Sequence, residues 1–298
     1  MVTTTTAAVH DRYGGPDELQ IREVEQGAPG EGQVLLEVRA ASVNPLDWHT
    51  LTGVPWIARM QSGVRLKPGH RVGNDVAGVV LAVGPGVTAF AVGDEVFGAA
   101  DGALARHVVA KAASLAPKPA SVSFEQAGAV AVAGVTALQA LRDKGNVGPS
   151  SRVLVNGAAG GVGSFAVQIA KAMGASVTGV CGPTNVEFVR GLGADLVIDY
   201  SQERFTERTE QYDVIIDNQG NHSARALKRV LAPGGVEVVV GGKKSGKVIG
   251  PLGTLVKLKL AFLFGSRRAA PIMAKITGAD MAALADLMAT GSVRPAVT

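Results

Sequence analysis

The sequence is short of cysteine and of aromatic residues. It contains one cysteine, Cys181, in 298 residues, and aromatic residues make up 4% of it. A single cysteine excludes an intrachain disulfide and a cysteine-rich zinc site. So few aromatic residues disfavour the recognition of single-stranded nucleic acid by base stacking. Hydrophobic residues at 47% and charged residues at 18% instead indicate a globular protein with one large or two ordinary domains.

The sequence also lacks a recognisable leader and a long apolar run. Residues Met1 to Thr6 contain no charged segment followed by an apolar core, so we expect no secretory signal. The longest apolar candidate, Leu252 to Phe264, is interrupted by Lys257 and Lys259 and is too short to cross a bilayer. We interpret it as a lid or a subunit-contact helix, and a segment that lies on a membrane surface is the alternative. These features predict a cytoplasmic protein without a membrane span.

Basic residues outnumber acidic residues only slightly. The formal net charge is +4, and the basic residues cluster only at Lys243, Lys244 and Lys247 and again near Arg267 and Arg268. A solvated loop explains this pattern more simply than a nucleic-acid-binding face. Nucleic acid is therefore not an expected partner.

The sequence pattern changes near residue 120, from short strand-like runs separated by glycine and proline to a helical pattern. Residues 7 to about 118 are punctuated by glycine and proline and include strand-like runs at Val34–Ala40 and Asp75–Val83, which predicts a compact, barrel-like β-rich unit. Pro117 and Pro119 mark the boundary. Beyond it, Ser123 is positioned to cap a helix, which we expect to continue through an alanine-rich segment to residue 141.

Strands and helices alternate from residue 153 onwards. This alternation predicts a parallel, doubly wound sheet, whose ligands bind outside the carboxyl ends of the strands. The predicted strands are 153–155, 176–181, 196–199, 214–217 and 236–240, and the predicted helices are 164–173, 186–192 and 224–231.

A glycine-rich turn joins the first of these strands to its helix. Gly160 allows a phosphate to approach the backbone, and Gly163 allows the helix to pack closely on the strand. Ala158 stands where the G-x-G-x-x-G pattern has its first glycine. The turn predicts a dinucleotide pyrophosphate seated on backbone N–H groups at a helix N-terminus, and the alternative is an ordinary βαβ crossover. The expected contacts are Ala159, Gly160, Gly161, Val162 and Gly163.

The end of the second strand bears on the choice of dinucleotide. An NAD site has an acidic residue there for the ribose 2′-hydroxyl group. This chain has Cys181 and Gly182 followed by Thr184 and Asn185, with no carboxylate before Glu187. The missing acid removes a repulsion against a 2′-phosphate, and Thr184 and Asn185 offer hydrogen bonds to it. We therefore predict NADP(H).

Motifs spread along the chain carry a family resemblance. They are Tyr13–Asp17, Ala41–Trp48, Val83–Val87, Val92–Gly98, Ala133–Ala137, Gly157–Gly163, Leu192–Asp195, Ile198–Tyr200 and Leu231–Gly235. In this order they resemble the medium-chain dehydrogenase/reductase superfamily, specifically its zinc-independent quinone oxidoreductase branch.

The resemblance implies a fold class and a domain organisation. The expected fold is α/β: a GroES-like β-rich catalytic domain over residues 1–120, a Rossmann NADP-binding domain over residues 121–277, and a return segment at residues 278–298. Family members continue through a further strand, helix and strand, so the catalytic domain is expected to be truncated at its C-terminus. The resemblance also implies a homodimer through the edge of the cofactor sheet.

Zinc ligands are not expected. Zinc members of the superfamily have a cysteine where this chain has Asn44, and a Gly-His-Glu motif where it has Gly73, Asn74 and Asp75. The five histidines show no paired metal spacing. Without a metal to polarise an alcohol, reduction of a quinone or an electron-poor C=C bond is the easier reaction, because the protein needs only to position the acceptor and stabilise a developing oxyanion.

Further site residues follow from the same argument and the resemblance. Asn44, held extended by Pro45, is expected to donate an N–H to the acceptor oxygen, and Asp47 to fix the loop; the alternative is a structural Asn-Pro turn. The resemblance places Thr136 at the nicotinamide end and Tyr200 beside the 2′-phosphate, with Asn218 and Gly241 near the nicotinamide ribose.

These observations predict an NADPH-dependent oxidoreductase that transfers hydride to a quinone or another electron-poor conjugated carbonyl compound. A reductase of 2-alkenals, 2-alkenones or enoyl thioesters is the alternative with the same chemistry. A non-catalytic NADP-binding sensor, or an RNA- or protein-binding module, is the alternative of another class. We expect solvent rather than a dedicated acid to supply the proton, since no His or Lys emerges from the sequence at the cleft.

Overall fold

A computed structural model describes residues 4–56, 59, 63, 66–241, 261–262 and 265–297. Several predictions therefore fall outside the described residues. They concern the basic residues Lys243, Lys244, Lys247, Lys257 and Lys259 and most of the apolar segment 252–264.

The first part of the chain forms two antiparallel sheets, as its β-rich pattern predicted. A small sheet has the order β2-β1-β4, and a five-stranded sheet has the order β7-β3-β5-β6-β8. Val34, Leu36, Val76, Val80 and Val96 form the centre of the five-stranded sheet's apolar core. The strands are β1 (Thr4–His10), β2 (Gln20–Glu25), β3 (Gln33–Ala40), β4 (His70–Arg71), β5 (Asp75–Val83), β6 (Glu95–Ala99), β7 (His107–Lys111) and β8 (Leu115–Pro117), and helix α1 (Pro45–Thr52) follows β3.

The second part forms a six-stranded parallel sheet in the order β11-β10-β9-β12-β13-β14. The chain starts at the centre, runs outwards to one edge and then returns to the other side of the first strand. Ligands of such sheets bind where the strand order reverses, which here lies between the first and fourth strands. The strands are β9 (Arg152–Asn156), β10 (Ser176–Cys181), β11 (Leu196–Asp199), β12 (Tyr212–Asp217), β13 (Leu231–Val239) and β14 (Arg268–Pro271).

Helices cover both faces of this sheet. Val153, Val155, Val214 and Ile216 face one apolar core, whereas Leu154 and Ile215 face the other, because alternate residues of a strand point to opposite faces. The helices are α2 (Phe124–Ala127), α3 (Ala131–Gln139), α4 (Gly161–Ala172), α5 (Val186–Gly191), α6 (Ala224–Val230) and α7 (Gly278–Ala289). The prediction of a doubly wound sheet joined to a β-rich unit is confirmed.

The prediction of one continuous helix from residue 123 to residue 141 is wrong. Ser123 does cap a helix, since its hydroxyl group accepts a hydrogen bond from the Gln126 N–H at 3.2 Å. That helix ends after one turn, and α3 begins separately at Ala131. The break lies at Gly128, where a Cβ atom would be 3.0 Å from the carbonyl carbon of Ala40. The close passage over β3 therefore turns the chain out of the helix.

Helix α7 lies against both parts of the molecule. It contacts β6 and β8 of the five-stranded sheet and also α3. Its first turn is held by Asp280, whose carboxylate accepts hydrogen bonds from Gln139 at 2.9 Å, Arg142 at 2.7 Å and Thr277 at 2.8 Å. The domain limits inferred from the sequence stay a prediction, but residues 278–289 do return to the β-rich part. Within the described ranges, no helix combines the length and the apolar character needed to cross a bilayer.

Candidate dinucleotide and acceptor site

The glycine-rich turn after β9 presents the start of α4 towards the edge of the sheet. Gly157 has a φ of +83°, which places it in the left-handed region. The N–H groups of Gly157 and Ala158 donate to the Val180 carbonyl group at 3.0 and 2.9 Å and so tie the turn to β10. The N-cap residue of α4 is Gly160, and no side chain in the described part of the chain caps the helix. The N–H groups of its first turn are therefore available to an anion.

Three glycines of the turn lie in two kinds of environment. A Cβ atom on Gly163 would lie 2.1 Å from the carbonyl oxygen of Gly157, so the protein itself requires glycine there. A Cβ atom on Gly160 would meet nothing closer than 3.5 Å, and one on Gly161 nothing closer than 3.7 Å. Among the described residues, no contact requires glycine at these two positions. The open space over the helix N-terminus is a cradle that fits a pyrophosphate.

The loop after β10 forms one wall beside this cradle. Cys181 is buried, and a 3₁₀ turn spans Pro183–Asn185, with the Asn185 N–H donating to the Gly182 carbonyl group at 3.0 Å. Tyr200 follows β11 and packs over Gly182, where a Cβ atom would be 3.0 Å from the tyrosine hydroxyl oxygen. The structure thus brings together the residues predicted to surround the 2′-phosphate. An open groove of about 600 Å³ continues from Tyr200 past Arg204.

Asn218 and Gly241 meet on the other side of β9. A Cβ atom on Gly241 would lie 2.2 Å from the Asn218 carbonyl oxygen, and the Gly241 N–H donates to the Asp217 carbonyl group at 3.2 Å. The Asn218 amide donates to the Asn156 carbonyl group at 3.0 Å. The remaining side-chain oxygen of Asn218 is buried and has no hydrogen-bond partner among the residues that the structure describes. An unpaired buried acceptor at this edge fits a ligand that brings its own donor.

Thr136 lies on α3, which packs against α4. Ala133, one turn earlier on α3, approaches Gly161 at the beginning of α4, since a Cβ atom on Gly161 would be 3.7 Å from that of Ala133. The Thr136 hydroxyl group donates to the Val132 carbonyl group at 2.6 Å. The helix therefore places Thr136 on an element adjoining the cradle.

Asn44 and Asp47 belong to a polar network at the start of α1. The carboxylate of Asp47, which is buried, accepts hydrogen bonds from the Asn44 backbone N–H and from the Asn74 amide, both at 2.6 Å. Asp47 thereby fixes the loop. The Asn44 amide nitrogen donates to Asp75 at 3.1 Å and to the Ser42 hydroxyl oxygen at 3.4 Å. Donation to an acceptor oxygen would therefore replace the longer bond to Ser42.

Sequence reasoning missed the role of Asp75 in this network. It is fully buried, and its carboxylate also accepts hydrogen bonds from the Ser42 hydroxyl group at 2.8 Å and from the Val132 N–H at 2.8 Å. Burial raises the pKa of Asp75 to about 6, although the hydrogen bonds oppose this shift. A carboxylate that opens an otherwise apolar strand was the available signal.

The histidines take part in local contacts. Among the described residues, no group of three or more His, Cys, Asp or Glu side chains is arranged to hold a metal ion. The Nδ1 atoms of His10 and His49 lie 3.0 and 2.5 Å from the carbonyl oxygens of Arg12 and Val54, respectively. The Nδ1 atom of His107 lies 3.3 Å from the Thr5 hydroxyl oxygen. The rings of His70 and His222 pack edge-on against those of His10 and Phe205, respectively.

The architecture is that of a two-domain dinucleotide-binding protein, and comparisons with known proteins agree. The alcohol dehydrogenase GroES-like domain matches residues 30–120, and the zinc-binding dehydrogenase domain matches residues 161–289. Chloroplastic quinone-oxidoreductase QR1 of Triphysaria versicolor is 32% identical over an alignment that covers 98% of this chain and 89% of that protein. The chain belongs to the medium-chain dehydrogenase/reductase family, in its quinone-oxidoreductase-like branch.

Other curated relatives match over less of their length. The chloroplastic quinone-oxidoreductase homolog of Spinacia oleracea is 37% identical over 68% of this chain and 64% of its own. The 2-methylene-furan-3-one reductase of Solanum lycopersicum is 36% identical over 77% of this chain and 60% of its own. The chain thus spans less than two thirds of the length of these two relatives.

Solved structures match almost the whole chain. The quinone oxidoreductase of Coxiella burnetii superposes with a TM-score of 0.83 at 29% identity, covering 99% of this chain and 90% of that one. The Escherichia coli quinone oxidoreductase, solved in complex with NADPH, superposes with a TM-score of 0.79 at 29% identity, covering 98% and 90%. The fold inferred from the sequence is therefore also the fold of these oxidoreductases.

Proposed function

We propose that this chain is an NADPH-dependent oxidoreductase that transfers hydride to a quinone or another electron-poor conjugated carbonyl compound without zinc. The observation that carries the proposal is the cradle at Gly160, where the described residues leave space over a helix N-terminus that none of their side chains caps. The relatives named as quinone oxidoreductases and as a 2-methylene-furan-3-one reductase support the acceptor class.

Each part of the site has a place in this proposal. The first turn of α4 would hold the pyrophosphate, and Tyr200, Thr184 and Asn185 would surround the 2′-phosphate. Asn218 and Gly241 would bind the nicotinamide ribose, with the unpaired Asn218 oxygen accepting a ribose hydroxyl. When bound, NADPH supplies the hydride.

The preference for NADPH rests on charge. The loop Pro183–Asn185 contains no carboxylate, and the first one after it, on Glu187, is ion-paired with Arg190. The side chains of the loop itself would therefore offer a 2′-phosphate hydroxyl and amide groups rather than a like charge, and the nearest carboxylate beside it, Asp199, belongs to β11. The complex of the Escherichia coli relative with NADPH supports the same choice.

The proposal does not include zinc because of the side chains that stand at the positions of the zinc ligands. Asn44 is an amide engaged with Asp75 and Ser42, and Asn74 is an amide engaged with Asp47. Amide groups held in this way are poor ligands for zinc, which takes thiolate, imidazole and carboxylate ligands. The residues present are better suited to positioning an acceptor by hydrogen bonds than to polarising it with a metal.

The two predicted catalytic residues have different roles in positioning the acceptor. Asp47 holds the loop, and Asn44 would orient the acceptor oxygen with its amide. The developing negative charge on that oxygen is smaller in a quinone or enone than in an isolated carbonyl, because conjugation spreads it. One amide donor is therefore matched in strength to this small charge, and the last proton would come from water.

Parallel titrations with NADPH and NADH, followed by fluorescence of the reduced nucleotide, test the cofactor. We expect tighter binding of NADPH by at least tenfold. Oxidation of NADPH is then followed with menadione as the quinone and methyl vinyl ketone as the enone, in metal-free buffer with and without a chelator. Turnover that survives the chelator supports the proposal. Equal binding of both nucleotides contradicts the 2′-phosphate argument, and binding without turnover of either acceptor favours a non-catalytic module.

The proposal includes a homodimer formed through the edge of the cofactor sheet. Among the described strands, β14 pairs with β13 alone and so leaves one edge open. Light scattering after size-exclusion chromatography measures this directly. A monomer at working concentration would contradict the dimer and leave the proposed chemistry unaffected. Nucleic acid is not a proposed partner, and location in the cytoplasm remains a prediction from the sequence.

A further inference from the structure

Asp75 is a buried carboxylate with three hydrogen-bond donors from two separate segments, the loop after β3 and the start of α3. One oxygen accepts from the Ser42 hydroxyl group at 2.8 Å and from the Asn44 amide at 3.1 Å. The other oxygen accepts from the backbone N–H of Val132 at 2.8 Å. No part of the residue is exposed to solvent. A carboxylate is expensive to bury, and three donors on one group compensate for part of that cost.

The bond to Val132 reaches from the β-rich part of the chain to the helix that packs on the nucleotide cradle. Val132 lies in the first turn of α3, and no side chain of that helix's own N-terminus caps it. A carboxylate at a helix N-terminus satisfies an N–H group and interacts favourably with the helix dipole. Asp75 therefore caps α3 from β5 and fixes the helix against that strand.

The same bonds connect the two residues expected at the nicotinamide end. Asn44 donates to Asp75, Asp75 accepts from the Val132 N–H, and the Val132 carbonyl group accepts from the Thr136 hydroxyl group at 2.6 Å. Asn44 and Thr136 come from different parts of the chain. The path between them passes through a single carboxylate.

We propose that Asp75 is a positioning residue that sets the separation of Asn44 from Thr136 and thereby holds the acceptor in register with the nicotinamide. This inference rests on the proposed function. Hydride transfer depends steeply on the placement of the reacting atoms, so a displacement of either residue lowers the rate of the chemical step rather than the affinity for the nucleotide.

The protonation state of Asp75 should make kcat depend on pH in a way that a merely structural role would not. Burial raises its pKa to about 6, the donors Asn44, Ser42 and Val132 oppose the shift, and the nearby carboxylate of Asp47 adds to it. On protonation, one oxygen becomes a donor and faces Ser42, Asn44 or Val132, each of which already donates. The network is therefore complete above about pH 6 and loosens below it, and kcat is expected to fall as the pH decreases through that value.

Two substitutions test the proposal. Asp75→Asn places an amide N–H against donors, and we expect kcat to fall at least tenfold while the Kd of NADPH stays within threefold. Ser42→Ala removes one bond that lowers the pKa of Asp75. We expect it to reduce kcat by less than Asp75→Asn does and to move the inflexion of the kcat–pH profile to higher pH. An inflexion that stays in place in Ser42→Ala, or a kcat within twofold of wild type in Asp75→Asn, overturns the proposal.

Amide hydrogen exchange of the full chain without nucleotide gives a second readout that does not depend on turnover. In Asp75→Asn we expect protection to be lost together in the first turn of α3 and in residues 42–48, whereas Ser42→Ala affects residues 42–48 alone. Loss in one segment only, in Asp75→Asn, overturns the positioning role. A wild-type protein that shows the coupled exchange but no NADPH oxidation contradicts the proposed function instead, so the two failures are distinguishable.

Discussion

Gly163 of α4 and the carbonyl oxygen of Gly157 are so close that a Cβ atom on Gly163 would lie 2.1 Å from that oxygen. The contact is between backbone groups, and no side-chain adjustment can relieve it. It fixes how deeply the helix packs against the turn, and therefore where its N-terminal N–H groups are directed.

The contrast between Gly163 and Gly160 gives a matched pair of substitutions. Gly163→Ala forces backbone groups apart, and we expect a loss of about 1–3 kcal/mol in the free energy of unfolding. Gly160→Ala has an ordinary φ of −78° and a nearest contact at 3.5 Å, so stability should change little. Its methyl group enters the cradle, and we expect NADPH affinity to fall at least tenfold, about 1.4 kcal/mol. Urea denaturation and nucleotide fluorescence measure the two effects. Unchanged NADPH binding in Gly160→Ala would place the pyrophosphate elsewhere.

Charge in the loop after β10 is expected to decide between the two nucleotides. Asn185→Asp adds a carboxylate there without changing the size of the side chain. We expect the Kd of NADPH to rise about tenfold, through repulsion of the 2′-phosphate, and that of NADH to change less than threefold. Asn146→Asp, which adds the same charge to an exposed loop before β9, is the control. A parallel loss for both nucleotides would argue against a phosphate contact at this loop.

Glu237 is expected to make stability depend on pH. It is buried on β13, and burial, with a further contribution from Asp217, raises its pKa from 4.5 to about 8. The folded state then holds a proton that the unfolded state releases above pH 4.5. Between pH 4.5 and 8, this group therefore lowers the free energy of unfolding by about 1.4 kcal/mol per pH unit as the pH rises.

Replacement of Glu237 isolates that contribution. In Glu237→Gln we expect a weaker decline in stability between pH 6.5 and 8 than in the wild type, and a higher free energy of unfolding at pH 8. Urea denaturation at several pH values gives both quantities. Asp75, whose pKa is raised to about 6, is present in both proteins, so its contribution to the slope cancels in the comparison. Identical slopes in the two proteins would mean that Glu237 is ionised in the folded state at neutral pH.

Asp280 is expected to hold α7 in place. Burial raises its pKa, but hydrogen bonds from Gln139, Arg142 and Thr277 outweigh burial and leave the pKa lowered. The carboxylate therefore stabilises the fold above about pH 3.8, and this stabilisation is lost as the pH falls further. Asp280→Ala should cost about 2–3 kcal/mol in the free energy of unfolding.

A second partner of the same arginine gives the control for Asp280. Asp143 also pairs with Arg142, at 2.6 Å, but it is exposed. Asp143→Ala should cost less than about 0.5 kcal/mol, because an exposed pair contributes little. Denaturation of both variants at pH 7 measures the difference. Equal costs would show that burial of the carboxylate at α7 does not matter.

The parallel sheet could be predicted from the sequence because its signals are local. Predicted strands at Ser176–Cys181 and Leu196–Asp199 coincide with β10 and β11, and the glycine turn lies where the pattern placed it. Strand β14 was not predicted. It is four residues long and contains Pro271, and its pairing with β13 is a tertiary contact that leaves no periodic pattern. The break at Gly128 was missed for a similar reason, since the passage over β3 that causes it involves a residue far away in the sequence.

The predicted residues around the dinucleotide meet because parallel strands present their carboxyl ends at one edge. Tyr200 over Gly182, and Asn218 against Gly241, are examples. Asp75 did not emerge as a site residue, because its importance lies in a bond to Val132, which is 57 positions away. Sequence comparison with zinc motifs marked its position as a replaced ligand and gave no indication of what replaces it.

The burial of Cys181 affects how readily the proposed acceptors can react with its thiol. The acceptors that we propose are electrophiles that alkylate thiolates. This chain has one cysteine; it is 3% exposed, and burial, with the nearby Asp199, raises the pKa of its thiol. A buried and protonated thiol is a poor nucleophile. We therefore expect the proposed quinone or enone acceptors to alkylate Cys181 slowly, whereas an exposed thiol at the same edge of the sheet would react with them during turnover.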